Sequence, residues 1–168
     1  DKLFERRAPA LKAIGKKCNK FSVKISDEET LSNERLTGKV TVILFWDENS
    51  NICQTLAPAW GKLYERFSSD KTFQWINIGK ADNNVDFEKF LSDAKLTKAI
   101  SFCDKKPQES KLLKTFGVTT FPTMFVTDPL GEVRYREFPV DSPPEDVIGY
   151  LLKERVGREK KEPPKEEK

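Results

Sequence analysis

Histidine is absent from the sequence. The side chain that titrates nearest neutrality, and that ligates metals most often, is therefore missing. Ser-His dyads, Cys-His dyads and His-ligated metal centres are excluded within this chain. Cysteine is scarce. Cys18, Cys53 and Cys103 stand far apart and are odd in number. That is neither a disulfide framework nor a zinc spacing, although one pair of the three is open. No apolar run approaches the roughly 18 residues of a membrane span. No internal repeat is present.

Charge, by contrast, is plentiful. Charged residues make up 34% of the chain and hold the hydrophobic fraction to 37%. Residues 1–24 carry eight Lys/Arg against two Asp/Glu, yet the net charge is only +3, so the remainder is mildly acidic. The basic start reads as a solvated leader. It lacks the aromatic-rich basic motif of a nucleic-acid module, so no nucleic-acid partner is expected. The sequence opens on Asp1, and "DKLFERRAPALKAIGKK" holds no signal-peptide apolar segment. A processed or trimmed front is expected, with the mitochondrion as the compartment and a periplasmic, secretory or plastid location as the alternative. "GREKKEPPKEEK" at the other end should not fold alone. The expected organisation is a basic arm (1–18), one domain (19–154) and a charged tail (155–168).

Within the domain, apolar periodicity alternates between two kinds. Pro9 and Gly15 bracket a short helix in the arm. "KFSVKI" alternates like a strand and "SDEET" reads as a turn. "GKVTVILFW" is a nearly continuous β-rich run, the pattern of a central strand covered on both faces. "NICQTLAPAWGKLYERFSSD" reads as a helix with Leu56, Trp60, Leu63 and Phe67 at helical spacing and Pro58 inside it. An interior proline removes one backbone hydrogen bond and kinks the helix, a cost of ~3 kcal/mol. "TFQWINIG" is a second buried strand, with Trp75 packing on a helix. "NVDFEKFLSDAKL" is an amphipathic helix capped by Asn84 or Asp86. "AISFCD" is a short strand, and "ESKLLKTFGV" a short helix closed at Gly117. "TTFPTMFVTDPLGEVRYREF" is a hairpin turning at "DPLG". A final helix carries Val147, Leu151 and Leu152 on its apolar side. The order predicts an α/β fold, a central mixed sheet with helices on both faces.

Four stretches in order resemble the thioredoxin-like superfamily. Phe45-Trp46, six residues, Cys53, then "LAP" at Leu56–Pro58 is similar to its site strand and following helix. "FGVTTFPT" (Phe116–Thr123) resembles the loop bearing its cis-proline, here Pro122. "LGEV" (Leu130–Val133) resembles the next hairpin turn. An added helix (Val85–Leu96) and strand (Ala99–Asp104), and an opening "GKKCNKFSV", are similar to the redoxin branch. That branch holds the thiol reductases of bacterial cytochrome maturation and the peroxiredoxins. The resemblance covers about residues 15–154 and implies a thioredoxin-like fold with an inserted helix and strand.

It also implies where chemistry belongs. The family's first cysteine is a thiolate nucleophile at a helix N-terminus, and its second resolves the mixed disulfide. Ser50 stands in the first place and Cys53 in the second. A hydroxyl cannot exchange with a disulfide, because exchange requires sulfur. Asn49 stands where an aromatic is usual and Leu44 where a buried acid is usual, while Asp47 and Glu48 add charge that disfavours a thiolate. The scaffold residues Trp46, Pro58, Gly117 and Pro122 remain. Ser50 reads as a helix N-cap.

Two functions follow. In the first the site is vestigial. No catalytic residue, cofactor or metal is expected, and the chain is a structural or adaptor subunit holding protein partners, within a large multi-subunit complex. In the second, Cys53 works as a single thiol, in a thiol oxidoreductase or a peroxiredoxin-like peroxidase. Ser50-x-x-Cys53 matches the peroxiredoxin Thr/Ser-x-x-Cys pattern, but Trp46 stands where that family has proline, and neither Arg134 nor Arg136 matches its arginine. Cys18 and Cys103 read as buried small residues. Asp82, Asp86 and Glu88 read as a solvated face.

Overall fold

The run from Val40 to Trp46 is buried at every position, as its nearly continuous apolar sequence predicts, and forms the centre of the protein. The computed structural model describes residues 13–137 and 144–159. Of the helix expected in the arm only its end, residues 13–15, falls within them. Of the tail expected at 155–168, residues 155–159 continue the last helix, and those beyond 159 lie outside the described residues. Strands β1 (Ser22–Lys24) and β2 (Thr30–Ser32) form an antiparallel hairpin. β3 (Val40–Asp47), β4 (Phe73–Lys80), β5 (Ile100–Asp104), β6 (Thr123–Thr127) and β7 (Val133–Glu137) form one sheet in the order β5-β4-β3-β6-β7. β3, β4 and β5 are parallel, and β6 and β7 run antiparallel. The mixed sheet is as expected; β2 is an addition, since "SDEET" supplies only the turn that leads into it.

Helices α1 (Asn51–Phe67) and α2 (Asn84–Asp93) cover one face together with α4 (Glu145–Glu159). Their core includes Trp46, Trp60, Trp75, Ile148 and Leu151. The other face packs the β1–β2 hairpin and helix α3 (Lys111–Phe116) around Phe21, Phe45, Phe116 and Phe125. α1 turns inward the stripe its large apolar residues suggest, with small residues at the middle of it. Cys53, Ala57, Trp60 and Gly61 are buried, while Leu56, Leu63 and Phe67 flank them. The small residues matter because α2 approaches closely: a Cβ on Gly61 would fall 2.1 Å from the Ala94 carbonyl oxygen. Asn83 caps α2, not Asn84 or Asp86: its side chain accepts from the Asp86 N–H at 2.9 Å. Pro58 is exposed within an α1 that runs continuously across it.

Candidate functional site

β3 ends at the C-terminal edge of the parallel strands, where this topology collects side chains from several loops. Asp47 closes the strand and organises the turn after it. Its carboxylate takes Lys80 Nζ at 2.9 Å and the Asn49 N–H at 2.9 Å, and its carbonyl accepts from the Ser50 N–H at 3.1 Å. Glu48 is tied through its N–H to the Lys80 carbonyl at 3.1 Å and through its carboxylate to the Asp82 N–H at 3.1 Å. Gln54 reaches back to the Glu48 carbonyl at 2.8 Å. The loop is therefore fastened to β4 and to the first turn of α1.

Ser50 is the N-cap of α1, in extended backbone, and its hydroxyl accepts from the Cys53 N–H at 3.3 Å. This satisfies one of the free donors at the helix start. Cys53 lies one turn in and is fully buried. Burial pushes its thiol pKa up; the Asp47 N–H and the Ser50 hydroxyl pull it partly back, and the Asp47 carboxylate adds a smaller upward push. Both donors stabilise sulfur charge locally, but loss of water is the larger effect.

The peptide bond between Phe121 and Pro122 is cis. Phe45 pairs with Thr123, so extending that antiparallel register sets Pro122 beside Trp46, at the same end of the sheet as Ser50. The loop that delivers Pro122 is anchored at its start by Gly117, whose φ of 62° suits glycine. Arg136 on β7 donates to the Gly117 carbonyl at 2.7 Å and lies over the Phe125 ring, 5.1 Å from its centroid. Arg136→Ala is expected to cost about 1–2 kcal/mol through these two contacts, read as a lower urea midpoint at unchanged slope.

Trp46 stacks on Phe90 at 3.9 Å and on Phe87 at 5.2 Å, and its ring lies flat over Gly79. Its indole N–H is buried without a partner among the described residues. Exposed Ile52 sits between Ser50 and Cys53 at the mouth. A groove of about 550 Å³ opens beside it between the start of α1 and α2, bordered by Glu48, Asn49, Asp86 and Lys89 over Ala57 and Phe90.

The structure brings Ser50, Cys53, Trp46 and Pro122 to one end of the sheet, with Pro58 farther along α1. The other cysteines correct the sequence reading. Neither is wholly buried, and all three thiols are unpaired. Cys103, next to last in β5, is partly exposed; burial raises its thiol pKa, Lys105 pulls it partly back, and Glu48 and Asp104 add smaller upward pushes. Cys18 is half-buried and its pKa is pushed up to about 12 by desolvation. Arg134 binds Asp128 at 3.2 Å and Arg136 binds Gly117, so both arginines weighed for a peroxidase are held elsewhere. Among the described residues no group of three His, Cys, Asp or Glu could hold a metal ion, and no helix is long and apolar enough to cross a membrane. Sequence reasoning missed Lys80 and Gly79. A glycine inside the apolar run "FQWINIG" was the available signal of close packing.

A five-stranded mixed sheet, a site helix opened by Ser50-x-x-Cys53 and a cis-proline loop beside it define a thioredoxin-like protein. The family model described as "AhpC/TSA family" matches residues 14–136, and the chain belongs to that family. Among curated proteins it is similar to the thiol-disulfide oxidoreductase ResA of Bacillus thuringiensis (strain Al Hakam) and of Bacillus anthracis, each 25% identical over 140 residues, covering 83% of this chain and 78% of theirs. Among solved structures, the thioredoxin domain of a thiol-disulfide oxidoreductase from Bacteroides vulgatus aligns with a TM-score of 0.68 at 20% identity, covering 83% of this chain and 98% of that one. A thiol-disulfide oxidoreductase from Bacteroides fragilis gives 0.66 at 20%, with 83% and 99% covered. The chain is thus a member of the AhpC/TSA family with a thioredoxin-like fold.

Proposed function

We propose that this chain is a single-thiol member of the thiol–disulfide oxidoreductase line, which docks an extended protein segment across the start of α1 and the Pro122 loop. Any sulfur chemistry there passes through Cys53. The carrying observation is the placement of Ser50 and Cys53 in the first turn of a helix beside a cis-proline, with one sulfur between them. The relatives named as thiol-disulfide oxidoreductases support this reading over a purely structural one. In such a reaction the Cys53 thiolate attacks a substrate disulfide, one substrate sulfur joins Cys53 and the other leaves as a thiolate. A thiol from outside the chain then releases the mixed disulfide, since Ser50 cannot. Exposed Ile52 and the neighbouring groove supply contact surface for the docked segment.

One observation favours a second reading, in which the binding surface works and the sulfur is silent: Cys53 is fully buried and desolvated. The chain would then be an adaptor or a subunit of a larger assembly. Alkylation separates the two. Free cysteine titrates near ~8.5. Desolvation leaves less thiolate at neutral pH, so Cys53 in the folded protein should label about tenfold or more slowly than in denatured protein, with its rate rising at higher pH than normal. Half-exposed Cys103 should label first. Mass spectrometry of the labelled peptides reads both. Formation of a Cys53 mixed disulfide with a disulfide-bearing peptide supports the first reading, and its absence under folded conditions supports the second. As to compartment, a periplasmic or secretory location fits relatives of this kind, because oxidising compartments sustain disulfide chemistry. The mitochondrial expectation has no support from the bacterial relatives.

A further inference from the structure

The two edges of the sheet are treated differently. The β7 edge is partly occupied: the N-terminal segment bridges it at Lys17 and Glu132, Gly15 donates to the Val133 carbonyl at 2.7 Å, and Val133 donates to the Lys16 carbonyl at 2.9 Å. The β5 edge is open, and among the described residues no strand pairs with its outer side. Such an edge presents unpaired N–H and C=O groups on alternate residues. Here it forms the floor of a trough of about 660 Å³. Ile100 and Ser101 lie at its base, Ile25 and Glu29 of the hairpin side form one wall, and Phe87 and Leu91 of α2 form the other.

That shape suits an added strand, whose alternate side chains would lie against Ile25 on one wall and Phe87 and Leu91 on the other while its backbone pairs with β5. The charges select the strand. Exposed Lys98 stands just before β5, and exposed Lys105 and Lys106 stand just after it. A second copy of this chain is a poor occupant, because antiparallel pairing centred on Phe102 would set Lys98 against Lys106. Like charges opposed across strands destabilise. Two acids also line the trough, Glu29, which is ion-paired with Arg35, and Glu88. We propose that the β5 edge receives an extended segment of a partner protein, apolar or β-branched in its centre and acidic at both ends, by strand addition. This surface is separate from the Ser50–Pro122 face and does not depend on the fate of Cys53.

The test uses the full chain and a fluorescent capped peptide, Asp-Glu-Val-Thr-Val-Thr-Val-Glu-Asp, with a control in which every acid is lysine. Binding is read by anisotropy, and its location by amide chemical shifts. The acidic peptide is expected to bind, shift β5 and the 25–29 segment, and weaken as salt rises. The triple variant K98E/K105E/K106E, changed only at exposed positions, should lose the acidic peptide by about tenfold or more and gain the lysine peptide. Absence of binding at about 1 mM peptide overturns the proposal. So do equal affinities for both peptides, indifference to the charge reversal, or shifts confined to the α1 start. Concentration-dependent dimerisation in sedimentation, abolished by acidic peptide, would reassign the edge to a second copy.

Discussion

Ser50→Cys is expected to convert a one-sulfur site into a two-sulfur one and to give the chain two-cysteine disulfide exchange. Residues three apart on a helix bring their Cβ atoms to roughly 5–6 Å, and small adjustments of the first turn bring such a pair within disulfide reach. Ser50 already lies over Cys53, with its hydroxyl 3.3 Å from the Cys53 nitrogen. A thiolate there gains from the helix start, as Cys53 does not. On oxidation the variant should lose two titratable thiols while an oxidant takes two electrons. With dithiothreitol as reductant it should reduce insulin roughly tenfold faster than the parent chain. The exchange of hydroxyl for thiol weakens the cap and costs about 1 kcal/mol in the reduced form. Leu44 supplies no proton acceptor beneath the site, so the gain should fall short of a two-cysteine enzyme with a buried acid there. Retention of both thiols under oxidant, with insulin reduction unmoved, would show that Ser50 does not occupy a nucleophile's place.

Gly79→Ala should be the most damaging single methyl in the protein's site region. Its Cβ would lie 2.3 Å from Trp46 Cζ2, far inside contact distance. The indole cannot retreat, because Phe90 is stacked 3.9 Å away on it. Either the β3–β4 ladder opens or the Trp46–Phe90 stack breaks. Overpacking of this kind costs ~1–3 kcal/mol and, against a rigid ring, belongs at or above the upper end. For a chain of this size that lowers Tm by roughly 2–4 °C per kcal/mol. Gly149→Ala is the matched control. It lies in α4, where an added Cβ meets nothing within 4 Å. There the better helix former should stabilise by up to ~1 kcal/mol. Equal midpoints for the two variants in urea would disprove the packing account.

The sequence disclosed what depends on runs and spacing. β3 and β4 were legible because strands buried on both faces carry mostly apolar residues, and α3 was legible because Gly117 ends it. β2 was not, since three residues with one buried leucine, Leu31, carry no periodicity. The middle of the inward face of α1 was not legible for a related reason. Large residues mark a helix face in sequence, but Ala57 and Gly61 decide how near α2 can come. The resemblance located Ser50 and Cys53. It could not disclose Lys80 or Arg136, which reach their partners across 33 and 19 residues of chain. Nor could it say that Cys53 is sealed while Cys103 is half-open, because exposure depends on what packs above a strand end.

Asp47 gives that sealing a kinetic character. One residue holds β4 through Lys80, the loop through Asn49 and Ser50, and the sulfur through its own N–H. Cys53 is fully buried behind this fastened turn, so a reagent reaches its sulfur only when the packing around it opens. Opening the turn from Asp47 to Ser50 would surrender an ion pair and several hydrogen bonds together. Traffic to Cys53 is therefore governed by a latch, so the observed reactivity of this thiol measures how often the latch opens as much as how acidic the sulfur is.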